Sequence, residues 1–153
     1  MSTANSYSIP TQSRRIDQLL DRYGESHLNP RNELIHFVAI PLIMVSLVGM
    51  MFALHPYAAY VFVAASMVYY ARLSLVFFFT MLVWSLAMFG VIFVLGSKVF
   101  PVSATVFILA WVLQFIGHRI EGKKPSFFED IQYLWVGPLF VVSKLFLKLG
   151  IRW

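Results

Sequence analysis

Cysteine is absent from the chain, which removes thiolate metal sites, thiol nucleophiles and disulfides at once. Charge is nearly as scarce: 12% of the 153 residues are charged and 59% are hydrophobic. A soluble domain carries roughly 25% charged and 45–50% apolar residues. A chain this short cannot hide so much apolar surface in one core, so the composition predicts an integral membrane protein. Residues 1–35 also give no reason to expect an apolar leader. Residues 1–35 hold Arg14, Arg15, Asp17, Asp21, Arg22, Glu25, Arg31 and Glu33, with no run that a secretory signal would need. No internal repeat or low-complexity tract is evident. The net charge of +5 does not point to nucleic acid, because the basic residues flank apolar segments, where anionic lipid headgroups lie.

What is there reads as helices. A tail over 1–12 precedes one helical domain over 13–153. Ser13 is placed to cap a short amphipathic helix with Ile16, Leu19, Leu20 and Tyr23 on one face. Asn29 and Pro30 then form a helix start, cap followed by proline at the first position. That helix runs into a first apolar segment, 37–54, with a bend expected near Pro41. His55–Pro56 breaks the run. Residues 57–95 are almost wholly apolar, with Arg72 the one charge. One straight helix of that length would measure about 58 Å, roughly twice the hydrocarbon thickness. A turn is required, and 69–74, "YYARLS", is the best place for it. Residues 75–95 form a third crossing, "GSKVFP" turns the chain, and 102–116 form a fourth.

Four crossings place both termini on one side. Arg14, Arg15, Arg22, Arg31, Arg72, Arg119, Lys123 and Lys124 fall on that side and Lys98 on the other, so the positive-inside rule makes it the cytoplasm. The last segment, "GPLFVVSKLFLKLGIRW", carries Lys144, Lys148 and Arg152 at steps of four. Starting near Pro138 it is too short to span, and it reads as a helix lying in the cytoplasmic interface.

Parity then brings chemistry together. His27 and His36 precede the first crossing, and His118 and Glu121 follow the fourth. An even number of crossings returns all four to one face, whereas His55 emerges opposite as a loop residue. Imidazole with an oxygen ligand suits zinc or non-haem iron, and two histidines with one carboxylate suit iron that activates oxygen. The bland alternative is that interfacial histidines only anchor or pack. His118 and Glu121 stand three apart, neighbours if the helix continues, and Gly117 lets another helix approach. Asn32, one turn before His36, orients that ring or satisfies a helix start. Gln114, one turn before His118, is costly in lipid and is expected to face the interior. Arg72 and Arg119 are anchors or hold an anionic substrate head, and Lys123 and Lys124 are positive-inside charges.

The same residues carry a resemblance. "YGESHLNPRNELIHFVAIPL" and "WVLQFIGHRIEGKKPSFFEDIQYLWVGPLFV" resemble the small membrane proteins related to the yeast 2-hydroxy fatty acid dioxygenase. The likeness spans 23–142 and is most specific at His27, Asn32, His36, Pro41, the block from Trp111 to Pro125, and Pro138. It implies an all-α membrane protein that uses Fe(II) and dioxygen to shorten a 2-hydroxy fatty acid by one carbon. It implies His27, His36 and His118 as iron ligands. Glu121 is left as ligand, base or anchor. Membrane lipids and the 2-hydroxy acid are the expected partners, and a homo-oligomer is left open. The rivals are another metal-dependent lipid hydroxylase or hydrolase, and a non-catalytic lipid-binding scaffold. The compact form, without targeting signal or retention tail, points to a bacterial inner membrane over the endoplasmic reticulum.

Overall fold

Helix boundaries fall where the sequence offers caps or breaks. The computed structural model describes residues 14–25, 27–122 and 133–153, and no strand occurs among the described residues. Helix α1 is Arg15–Gly24 and α2 is Pro30–Leu54. Asn29 caps α2, its Oδ1 accepting from the Arg31 N–H at 2.9 Å, and Pro30 opens it. The helix continues through Pro41. Extended backbone at His55 ends α2 and starts α3, Pro56–Leu73, with Pro56 at its first turn. Extended backbone at Ser74 likewise parts α3 from α4, Leu75–Leu95. A turn of 3-10 helix, Gly96–Lys98, leads to α5, Val99–Glu121. Helix α6 is Val136–Leu149. The expected Ser13 cap lies outside the described residues, as do Lys123 and Lys124.

Two stretches, Pro30–Leu54 of 25 residues and Leu75–Glu121 of 47, are long and apolar enough to cross a bilayer. The longer one is α4 and α5, parted at Gly96, whose φ of +52° is a conformation that a Cβ opposes. Large apolar side chains point outward from these helices, among them Val38, Val83, Leu86, Val94 and Ile108. A surface like that needs a non-aqueous neighbour.

Helices α2 and α5 run antiparallel along their whole length. Asn32 meets Glu121 at one end, and Gly49 meets Ser103 and Val99 at the other. Helix α3 packs against α2 and α4. The end of the bundle where α2 begins is closed by α1 and α6, whose Ile16, Leu20, Tyr23, Leu139 and Phe140 share a core with Ile40, Tyr70 and Phe77. A separate core at the far end gathers Met44, Val48, Ala59, Met88 and Ile92.

The last helix departs from the interfacial arrangement that its cations suggest. Every residue from Val136 to Ser143 is buried, so its first half packs inside the bundle rather than lying upon it. Gly137 permits this, since a Cβ there would stand 3.2 Å from Ile40 and 3.4 Å from the Tyr23 hydroxyl. Trp135 pins its start, donating from Nε1 to Ser66 at 2.8 Å while its carbonyl accepts from the Tyr70 hydroxyl at 3.2 Å. Lys144 meets Glu33 of α2 at 3.4 Å, and Trp153 donates to Asp17 of α1 at 3.2 Å. Periodicity alone missed this, because only the second half of α6 has an exposed face.

Leu139→Ala should therefore lower stability by about 2–5 kcal/mol, as cavity-forming core truncations do. Leu145→Ala, half exposed on the same helix, should cost well under about 1 kcal/mol. Thermal unfolding in detergent compares them, and an interfacial helix would instead give two small effects.

Candidate functional site

The polar end of the bundle is assembled from three short signals. Tyr23 and His27 stand four apart across the end of α1, and the His27 Nδ1 lies 2.8 Å from the Tyr23 carbonyl. His36 repeats the arrangement on α2, with Nδ1 2.9 Å from the Asn32 carbonyl. A carbonyl only accepts, so in both rings Nδ1 carries the donated proton. In the neutral imidazole the lone pair then falls on Nε2. The Tyr23 ring stacks on His27 with centroids 4.4 Å apart and planes 16° from parallel.

His118 arrives from α5. Its ring centroid is 5.3 Å from that of His36 and 6.4 Å from that of His27, while His27 and His36 are 4.3 Å apart. All three are buried. The approach depends on Gly117: a Cβ there would collide with Asn32 Oδ1 and stand 3.2 Å from the His36 ring. The same close contact recurs at the other end, where a Cβ on Gly49 would run into the Ser103 hydroxyl.

Glu121, on the last turn of α5, is taken up by the start of α2. Its carboxylate accepts from the Leu28 N–H at 3.0 Å, the Asn29 N–H at 3.0 Å and Asn32 Nδ2 at 2.9 Å. Charge-assisted bonds to backbone N–H groups are strong ones, and these latch the far end of α5 onto the segment that holds His27 and His36. Gly122, with φ of +73°, ends the helix directly after this latch.

Gln114 is buried one turn before His118. It lines a cavity of about 40 Å³ together with Tyr23, Ile40, Ile43, Met44, Trp111 and Tyr133. Arg72 and Arg119 are exposed, and the ring contacts of the cluster involve neither. His55 is exposed at the opposite end of α2. The structure thus brings together His27, His36, His118, Asn32 and Glu121, places Gln114 alongside, and leaves the arginines outside. Tyr23 is the side chain that sequence reasoning took for simple packing. Its four-residue spacing from His27 was the available signal.

Among the described residues no group of three or more His, Asp or Glu side chains is arranged ready to hold a metal ion. The donor set itself suits one. Two rings have Nδ1 bonded to backbone carbonyls, the outer arrangement that orients metal-ligating histidines and leaves Nε2 for the metal.

Comparison with known proteins bears on this geometry. The model of the family described as 2-hydroxy-palmitic acid dioxygenase Mpo1-like matches residues 13–149. The chain belongs to the Mpo1-like family. Among its relatives, the 2-hydroxy-palmitic acid dioxygenase MPO1 of Saccharomyces cerevisiae is 25% identical over 139 residues, which covers 84% of this chain and 78% of the yeast protein. No solved structure matches. The matched region of this Mpo1-like chain contains every residue of the histidine cluster and its latch.

Gly117→Ala should force α2 and α5 apart at the cluster, at about 1–3 kcal/mol of overpacking. Gly90→Ala, where an added Cβ meets nothing within 4 Å, should be neutral or stabilising by up to about 1 kcal/mol. Thermal stability of the two variants checks this, and an equally harmless Gly117→Ala would contradict the close contact.

Proposed function

We propose that this chain is a membrane-embedded Fe(II)-dependent dioxygenase that converts a 2-hydroxy fatty acid into the acid one carbon shorter. The observation that carries the reading is the meeting of His27, His36 and His118 at one buried point of an otherwise apolar bundle. Membership of the Mpo1-like family, and the activity named for the yeast relative, supply the substrate class. Helices α2 to α5 are read as four crossings with both termini cytoplasmic. The antiparallel pairing of α2 with α5 supports that count, and so does the concentration of Arg and Lys at the end where α1 and α6 pack.

His27, His36 and His118 would hold the iron. When bound, iron(II) supplies the one-electron chemistry that dioxygen needs to react with a closed-shell acid. The remaining work falls to the chain. Backbone carbonyls of Tyr23 and Asn32 fix two imidazoles by their Nδ1 protons. The Glu121 latch holds the start of α2 so that His36 and His118 stay in register. Ile40, Ile43 and Met44 line the adjoining cavity and exclude water from reactive species. The acyl chain lies against apolar helix surface, and the carboxylate and 2-hydroxyl reach the cluster near the headgroup level.

A second reading draws on the ring contacts. Imidazoles that meet edge to face, at 80° and 89°, also describe a lipid-binding scaffold whose histidines only pack. Iron analysis separates the two. His27→Ala, His36→Ala and His118→Ala should each lose most of the bound iron and, with it, conversion of a 2-hydroxy acid under oxygen. His55→Ala should keep both. Full iron in all three cluster variants would leave only the packing account.

A further inference from the structure

Among the described residues, a buried amide at the polar end of the bundle belongs to neither the histidine cluster nor its latch. Gln114 is 6% exposed, and its Oε1 has no hydrogen-bond partner among the described residues. It stands one turn before His118 on α5, so both project from the same face of the helix. Gln114 lines the cavity beside Tyr23, Trp111 and Tyr133, with Ile40, Ile43 and Met44 among the other walls. A glutamine in so apolar a helix is replaceable by methionine or leucine unless something occupies its amide. At about 40 Å³ the space suits a small polar group and not a hydrocarbon chain.

We propose that Gln114 is the specificity residue that reads the 2-hydroxyl of the substrate, an inference that rests on the function proposed above. The chemistry of the head group decides the assignment. A carboxylate offers only acceptors, so it cannot satisfy the buried Gln114 carbonyl. A 2-hydroxy acid adds one donor, the hydroxyl, on the carbon next to that carboxylate. A primary amide presents an acceptor and a donor side by side, and the pair matches hydroxyl and carboxylate together. The match survives interchange of Oε1 and Nε2, because either orientation of the amide presents both groups. An unsubstituted fatty acid leaves the amide carbonyl without a donor. A site built to bond a hydroxyl rejects the analogue lacking it for this reason.

Binding measured without turnover tests this. The full chain in nanodiscs, kept anaerobic, is titrated with a 2-hydroxy fatty acid and with the unsubstituted acid of equal length. Wild type should prefer the hydroxy acid by about tenfold or more. Gln114→Met keeps the volume and removes both polar groups. It should weaken the hydroxy acid about tenfold, leave the plain acid unchanged or tighter, and bring the preference near unity. Gln114→Glu keeps an acceptor but sets a like charge against the carboxylate, and should weaken both acids. A merely structural role would move both acids together in the methionine variant. Retention of the full preference by Gln114→Met, with hydroxy acid still consumed by wild type, overturns this inference alone. Failure of wild type to bind or consume either acid overturns the proposed function and this inference with it.

Discussion

The close approach of α2 and α5 is the contact on which the rest of the structure depends. Two glycines set it, Gly117 against Asn32 and His36, and Gly49 against Ser103 and Val99. Without a Cβ at either point, the helices lie near enough for side chains of one to reach the backbone region of the other. At the polar end this lets a carboxylate from α5 bond the amides that precede α2. Three imidazoles drawn from a helix end, a helix start and a distant helix are thereby brought into ring contact. Small residues at helix crossings commonly serve packing alone. Here they also set the register of a polar cluster.

That cluster is expensive. Asn32, His36, Gln114 and His118 lie buried, in a bundle whose other contacts are almost wholly apolar. Buried polar groups lower stability unless their hydrogen bonds are met, and apolar side chains of similar size would fill the same space at less cost. Sequences keep such groups in membrane helices for chemistry more than for stability. Placement agrees with this, because these four side chains gather at one end, beside a small cavity, and the opposite end is closed largely by Val48, Ala59, Met88 and Ile92.

The order of helices and the meeting of the histidines were legible in the sequence; the supporting contacts were not. Asn29–Pro30 and His55–Pro56 mark boundaries because cap chemistry and the missing proline N–H act locally. The turn at Ser74 has no such marker and followed from length alone. Return of His118 to the face of His36 needed only the parity of long apolar runs. By contrast, two of the three partners of Glu121 are the backbone amides of Leu28 and Asn29, nearly a hundred positions away, and a backbone amide leaves no residue-type signal. The burial of α6 was missed for a related reason. Its cations suggested a surface, whereas Gly137 and the Tyr23 and Ile40 side chains that it admits belong to tertiary packing. Arg72 and Arg119, weighed as anchors or as holders of the substrate head, are placed on the outside.

The central claim is that these three histidines form a metal centre and not merely a packed cluster. Iron K-edge X-ray absorption on the full chain, loaded anaerobically with Fe(II), tests it most directly. The account predicts nitrogen and oxygen neighbours with the outer-shell scattering of imidazole rings, strengthened or reshaped when a 2-hydroxy acid is added. An oxygen-only shell without imidazole scattering, indifferent to the acid, would contradict it.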